Sequence, residues 1–465
     1  MAAHAPLVVV MGVTGSGKST VGEALSERIG LPFAEGDDFH PPSNIEKMSG
    51  GTPLNDDDRL PWLDAIASWL AGRTASGGII SCSALKRRYR DRLAGAVDGL
   101  FFLHLDGSPE LIGERLEERR DHFMPKGLLR SQFDALEPLT ADENGATISV
   151  AGPPEGVVQR SLDAIRAPYP LQLAPGVHAY VQPDGGWCLS NAGFVSDGTT
   201  TLLVDTAATE SRALKLRDTV LASGAPQPTM VVNTHHHGDH TYGNSVFAPA
   251  AAVIGHRNCR AEVAANGKQL HLLWPDNDFG EITVNPPNLT YDDTLTLHVG
   301  DTEVQLIHPG VAHTTGDTIV WLPQQRVVFT GDLAFHGGSP FIPMGSLTGS
   351  LAALDLLRSL GARTVVAGHG SVTDPGVFDA TERYLRFVAD LAQEGYAAGR
   401  TPLEVARTAD LGEFAALREP ERLAPNLHRA YAELQGRPPG VPLDPLQVFG
   451  DMAELNGGTM PTCHA

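Results

Sequence analysis

The residues GVTGSGKS, from Gly12 to Ser19, restrict what this chain can fold into more than any other stretch. They fit the spacing G-x-x-x-x-G-K-[ST], with the apolar run LVVVM before them and the helical pattern STVGEALSERIG overlapping their end. Glycines at Gly12, Gly15 and Gly17 let backbone N–H groups curl round phosphate oxygens, and the N-terminus of the next helix adds partial positive charge. Lys18 is placed to neutralise the outer phosphates and Ser19 to hold Mg²⁺, with Thr20 beside them on the nucleotide. The motif needs a strand, a tight turn and a helix in that order, the unit of a parallel sheet covered by helices on both faces. It specifies a nucleotide with Mg²⁺ and leaves the phosphoryl acceptor open.

The 465 residues leave room for two or three domains. Up to about Arg166 short apolar runs (LVVVMG, GIISCS, LFFLHLD) alternate with amphipathic ones, an α/β text. RAPYP then interrupts it, and two prolines in three residues predict a short stiff joint. Beyond it the text is β-rich (VHAYVQ, TTTLLVDT, DTIVWLP, RVVFTGD), and from about residue 375 it turns helical. The expected domains are residues 1–166 and 171–465, with 167–170 as linker. The end, LNGGTMPTCHA, reads as frayed.

A net charge of -21 argues against a nucleic-acid or anionic-membrane partner. No run approaches the ~18–20 apolar residues of a membrane span. The N-terminus lacks the flanks of a signal peptide. Four scattered cysteines, Cys82, Cys188, Cys259 and Cys463, suit a reducing, cytoplasmic setting. Small-molecule substrates are therefore the expected partners, and a homodimer is compatible with the text.

Three long stretches narrow the acceptor: EGDDFHPPSNIEKMSGGTPLNDDDRLPWL, CSALKRRYRDRL and RLEERRDHF with LLRSQFDALE. Together they closely resemble the gluconokinase family over residues 5–166. The resemblance implies a nucleoside-monophosphate-kinase-like fold and ATP-dependent phosphorylation of D-gluconate to 6-phosphogluconate. A hydroxyl nucleophile needs a carboxylate to take its proton, and Asp37 matches the second Asp of the family's D-G-D stretch. Glu35 stands where the first is usual. Arg59, Lys86 and Arg90 match the positions that contact the substrate, with His40 and Lys47 nearby. Arg119, helped by Arg120, matches the lid arginine over the transferring phosphoryl group. The GPPEG loop near Pro153 is the expected adenine contact. The plain alternative makes NDDDR a helix-capping charge run and RLEERR an exposed helix face.

The second half carries HHHGDH at 235–240. Imidazole and carboxylate at this spacing are ligands for Zn²⁺ and related ions, and later turns offer His313, Asp332 and His369. The series closely resembles the metallo-β-lactamase-fold hydrolases from about Leu171 to Val372, an αββα sandwich here followed by a helical extension. The resemblance implies one metal on His235, His237 and His313, a second on Asp239, His240 and His369, and Asp332 bridging them. Asp205 would support the site from beneath, and His236 fills a variable position. Two Zn²⁺ or similar ions would lower the pKa of a water toward ~7 for attack on an ester, lactone, thioester or amide, with Asp239 able to take its proton. Asp332, where one class of true β-lactamases has Cys, points to glyoxalase-, lactonase- or thioesterase-like chemistry.

The expectation is thus a bifunctional chain, with gluconolactone as one candidate for the hydrolase. The alternatives are a kinase with a structural or regulatory metal half, a nucleotide-sensing switch, and a hydrolase of unrelated substrate.

Overall fold

The computed structural model describes residues 6–50, 52, 54–74, 76–97, 99–118, 126–140, 143–183, 185–248 and 250–465. The chain divides into two compact units, Ala2–Ala167 and Pro168–Ala465.

The first unit is built on five strands: β1 (Leu7–Met11), β2 (Phe33–Ala34), β3 (Gly78–Ser81), β4 (Phe101–Asp106) and β5 (Gly145–Ser149). All are parallel, in the order β2-β3-β1-β4-β5. β1 is apolar at every position because both its faces are covered. Val8 and Val10 join a core with helices Lys18–Ile29 and Pro154–Ile165. Leu7, Val9 and Met11 point the other way, toward helices Asp56–Ala71 and Arg87–Ala94. The phosphate-loop motif leaves the end of β1, at the carboxyl edge where such sheets bind ligands.

The second unit contains two sheets. One holds β6 (Tyr169–Ala174), β7 (Val177–Val181), β8 (Ala192–Ser196), β9 (Thr201–Val204), β10 (Met230–Val232), β11 (Ala252–His256) and β12 (Leu289–Tyr291), ordered β12-β11-β10-β9-β8-β7-β6. The other holds β13 (Thr294–Val299), β14 (Thr302–Ile307), β15 (Ile319–Leu322), β16 (Val327–Phe335) and β17 (Thr364–His369) in sequence order. Val177, Leu202 and Val232 of the first meet Val304, Val320 and Phe329 of the second in one apolar core. Helix Glu210–Ala222 covers the first sheet's outer face through Ala213, Leu216 and Val220. Helices Leu347–Ser359, Gly376–Ala397 and Leu423–Leu434 cover the second sheet. The result is the expected αββα sandwich with its helical extension. Phe378, Leu385 and Val388 are buried along one face of the helix Gly376–Ala397, with Leu391 packed partly buried beside them.

Two expectations need correction. The RAPYP joint is half strand, because Tyr169 and Pro170 pair with Val181 and Tyr180. Proline is tolerated there because β6 is the edge of its sheet, where a missing N–H costs no ladder bond. The C-terminal tail is docked. Cys463 is buried against Cys188, their sulfurs 2.9 Å apart. Trp274 Nε1 donates to Pro461 O at 2.6 Å, and Arg212 donates to His464 O at 2.9 Å. Among the described residues no helix is long and apolar enough to cross a membrane.

Candidate active sites

In the first unit, Gly12, Gly15 and Gly17 all have positive φ (139°, 85° and 96°), which bends the loop back on itself. Gly17 caps helix Lys18–Ile29, leaving Ser19 and Thr20 exposed at its N-terminus. Lys18 Nζ donates to Val13 O at 3.1 Å. Gln132 grips the loop from outside, accepting from Thr14 N at 2.7 Å and donating to Thr14 Oγ1 at 3.0 Å.

Asp37 lies on the turn Gly36–Phe39 after β2, with its carboxylate 85% exposed. The turn is pinned beneath it. Gly36 N donates to Ser81 Oγ at 3.1 Å, Trp62 Nε1 donates to Gly36 O at 2.7 Å, and Ser81 bonds Glu35. A Cβ at Gly36 would lie 1.9 Å from Ser81 O, so only glycine fits. Glu35 therefore orients this turn through Ser81. His40 stacks on Trp62 at 4.5 Å. Burial lowers its pKa, Asp37 pulls it up and Arg59 pushes it down. The buried Cys82 thiol is pushed up to about 12 by burial, with Lys18, Asp37 and Arg59 acting on it more weakly.

The acidic run is a cap and a set of anchors. Asn55 and Asp58 form a reciprocal capping box at helix Asp56–Ala71. Asp58 holds Lys47 at 2.5 Å, and Asp56 holds Lys86 at 3.0 Å and also bonds Tyr89. Arg59 lies over the Tyr89 ring at 5.7 Å. Arg90 does not join the expected substrate contacts. It is 1% exposed, bonds Glu143 through Nε and Nη2 at 2.5 and 2.9 Å, and gives its remaining donors to the carbonyls of Ala84, Leu85, Glu137 and Pro138. With every donor engaged it staples the sheet edge. Pro153 is the exposed residue preceding helix Pro154–Ile165. Arg119 and Arg120 lie outside the described residues.

In the second unit the histidine cluster follows β10, and His237 caps the short helix Gly238–Thr241. His313 comes from the loop between β14 and β15, Asp332 from β16 and His369 from the end of β17. One donor set is His235, His237, His313 and Asp332, and a second is Asp239, His240 and His369, each with ligand atoms within 4.8 Å of one another. His235 Nε2 and His313 Nε2 each lie 3.1 Å from His237 Nδ1. Asp332 reaches both sets: its oxygens are 3.9 Å from His235, 3.6 Å from His313, 3.3 Å from His240 and 3.5 Å from His369.

The supporting contacts fix each ring. His240 Nδ1 pairs with Asp205 Oδ2 at 2.8 Å, and Asp205 accepts from Thr234 N and Oγ1 at 2.7 and 2.6 Å. Phe341 O accepts from His313 Nδ1 at 2.5 Å. A Cβ on Gly368 would lie 1.9 Å from Asp332 Oδ1, so glycine there makes room for the carboxylate. Burial, then neighbouring imidazoles, pushes His235 and His237 well below the usual range. Burial also takes His313 down to about 4. It opposes charge on His240 and His369 too, yet Asp332, with Asp205 and Asp239, lifts His240 well above its usual value. Asp332 and Asp239 likewise lift His369, to about 9. His240 Nε2 and Asp332 Oδ1 are buried without a hydrogen-bond partner among the described residues. Orphaned donor atoms on an all-N/O ligand set fit divalent cations.

Comparisons with known proteins follow this division. The chain is 43% identical over 162 residues to the gluconokinase of Gluconobacter oxydans (strain 621H), covering 34% of this chain and 91% of that one. It is 47% identical over 137 residues to the thermosensitive gluconokinase of Escherichia coli (strain K12), covering 29% of this chain and 73% of that one. The chain belongs to the gluconokinase family through its N-terminal unit. A crystal structure of a gluconokinase from Sinorhizobium meliloti 1021 is 48% identical, covering 35% of this chain and 93% of that chain with a TM-score of 0.33. A shikimate kinase family model also matches residues 14–165. Residues 185–369 match the metallo-β-lactamase superfamily, so a domain of that superfamily follows the gluconokinase domain.

Several groups that shape these sites carry no mark in the sequence. In the gluconokinase domain, Ser81 and Trp62 set the Asp37 turn from other elements, with no local spacing to mark them. In the metal-site domain, His236 pairs with Glu262 at 2.8 Å. Arg422 and Phe449, both beyond the superfamily match, line the pocket over the metal ligands.

Proposed function

We propose that the chain carries two catalysts. The gluconokinase domain phosphorylates D-gluconate with ATP. The backbone of Gly15–Ser19 and Lys18 hold the phosphates, Ser19 would hold a Mg²⁺ that screens their charge, and Arg59, Lys86, His40 and Lys47 face the acid substrate. The 6-hydroxyl oxygen attacks the γ-phosphorus, the bond to the bridging oxygen breaks, ADP leaves, and the hydroxyl proton passes to Asp37. The observation that carries this reading is the match over nearly the whole length of the gluconokinase of Gluconobacter oxydans, with the Asp37 carboxylate open to solvent. In a coupled assay on a sugar-acid panel, gluconate is the preferred acceptor. Asp37→Asn lowers kcat by ~10²–10⁴-fold, and Lys18→Ala removes phosphorylation. Preference for another acid would reject the assignment.

The second domain hydrolyses an acyl bond. His235, His237 and His313 would hold one divalent ion and Asp239, His240 and His369 another, with Asp332 between them. When bound, such ions acidify water and polarise a carbonyl. Asp239 is placed to take a proton from the nucleophile, and Asp205 and Phe341 O keep the rings aimed. The carrying observation is the Asp332 carboxylate within 4 Å of four imidazoles from three separate segments of the chain. Esters, lactones and thioesters are its substrate classes. Glucono-1,5-lactone, whose opening would yield the kinase's acceptor, belongs in the panel as the polar member of the lactone class. Full-length protein loaded with Zn²⁺ or Mn²⁺ turns over at least one of these classes, and failure on all of them would overturn the reading.

A further inference from the structure

The walls of the metal pocket say which acyl substrates fit. Above the ligands it is lined by Trp187, Tyr242, Leu270, Trp274, Phe341 and Phe449. Trp187 meets Trp274 at 5.6 Å and Phe341 edge-on at 5.2 Å, so the rings form one continuous surface. Their indole N–H groups are already engaged, and the Tyr242 hydroxyl oxygen already accepts one bond. Trp187 Nε1 donates to Glu421 at 2.8 Å, Trp274 Nε1 donates to Pro461 O at 2.6 Å, and Tyr242 OH accepts from Leu270 N at 2.9 Å. His236, also in the lining, is paired with Glu262.

Among the described residues one arginine lines the pocket; its two terminal nitrogens are committed, and its Nε is buried without a hydrogen-bond partner. Arg422 lies 4.0 Å over the Trp187 ring, pairs with Glu419 at 2.5 Å and donates to Ser339 O at 2.9 Å. Of the lining amides, Asn266 is exposed and Gln269 half-buried. A sugar lactone would press several hydroxyls against aromatic carbon and lose their water without compensation. An aromatic or aliphatic chain would bury there at a gain.

We propose that the metal pocket takes an ester, lactone or thioester bearing a bulky apolar group, and that a polyhydroxylated lactone is not its substrate. This rests on the hydrolase reading above and narrows it. Part of the selecting wall comes from the C-terminal extension, through Arg422 and Phe449. The two domains then act on chemically unrelated molecules.

The test uses full-length, metal-loaded protein and two readouts. In the first, kcat/KM is compared for glucono-1,5-lactone, γ-nonalactone and phenyl acetate, each corrected for spontaneous hydrolysis. The apolar substrates are preferred by ~100-fold or more, the scale that a few buried methylenes supply. Trp274→Ala raises KM for γ-nonalactone by ~10-fold, with a smaller change in kcat. In the second, tryptophan fluorescence is titrated with nonan-2-one and with glucose, neither of which can be hydrolysed. The ketone alone gives saturable quenching, which Trp274→Phe reduces. Equal or better turnover of the sugar lactone sinks this inference and leaves the hydrolase reading standing. Saturable ketone quenching without turnover of any ester sinks the hydrolase reading and keeps the apolar pocket. No quenching by the ketone overturns the inference outright.

Discussion

Asp205 sits at φ 56°, a left-handed conformation that costs most side chains energy and Asp and Asn least. Its carboxylate accepts from Thr234 and from the Nδ1 of His240, so it fixes the ring whose Nε2 faces Asp332. Asp205→Asn keeps the backbone preference and the size but removes the charge behind the imidazole. Metal affinity falls by ~10–100-fold, read by competition with a chromogenic chelator, while the far-UV spectrum is unchanged. Affinity within twofold of the parent would show that Asp205 only shapes the loop. The ligand candidates were legible in the sequence because they fall in short motifs with fixed spacing. Arg90 was not, because its role is set by Glu143, fifty-three residues away, whose carboxylate meets it inside the domain. A basic residue in a basic stretch looks like a substrate contact until its burial is known.

Among the elements, the periodic ones were readable and the aperiodic ones were not. β1 and the helix Gly376–Ala397 announced themselves through runs and spacing. The tail has no period, and LNGGTMPTCHA reads as frayed. Its order comes from partners far back in the chain: Cys188, Trp187, Trp274 and Arg212. Removing residues 459–465 deletes the bonds Trp274–Pro461, Arg212–His464 and His464–Trp187 and uncovers part of an apolar cluster. At ~0.5–1.5 kcal/mol for each net hydrogen bond, the loss is ~2–4 kcal/mol for the domain. Denaturant unfolding checks this, and acrylamide quenching of tryptophan rises in the truncated chain. An unchanged midpoint would return the tail to the status of a loose end.

At the scale of the whole molecule, two cores of separate composition imply two cooperative units. The kinase core draws on β1–β5 and its own helices, and the sandwich core on β6–β17. A ligand stabilises only the unit that binds it, by RT ln(1 + [L]/Kd), or ~2.7 kcal/mol at a hundredfold excess over Kd. Calorimetry of the full chain therefore shows two transitions. ATP with Mg²⁺ raises one of them. Dipicolinate in excess Mg²⁺, which strips transition metals and spares the nucleotide site, lowers the other. Gluconate phosphorylation survives that stripping, and hydrolysis survives Lys18→Ala. If both transitions moved together with either ligand, or if ATP changed the hydrolysis rate, the domains would be coupled and the phosphate loop would be acting as a switch for the metal site.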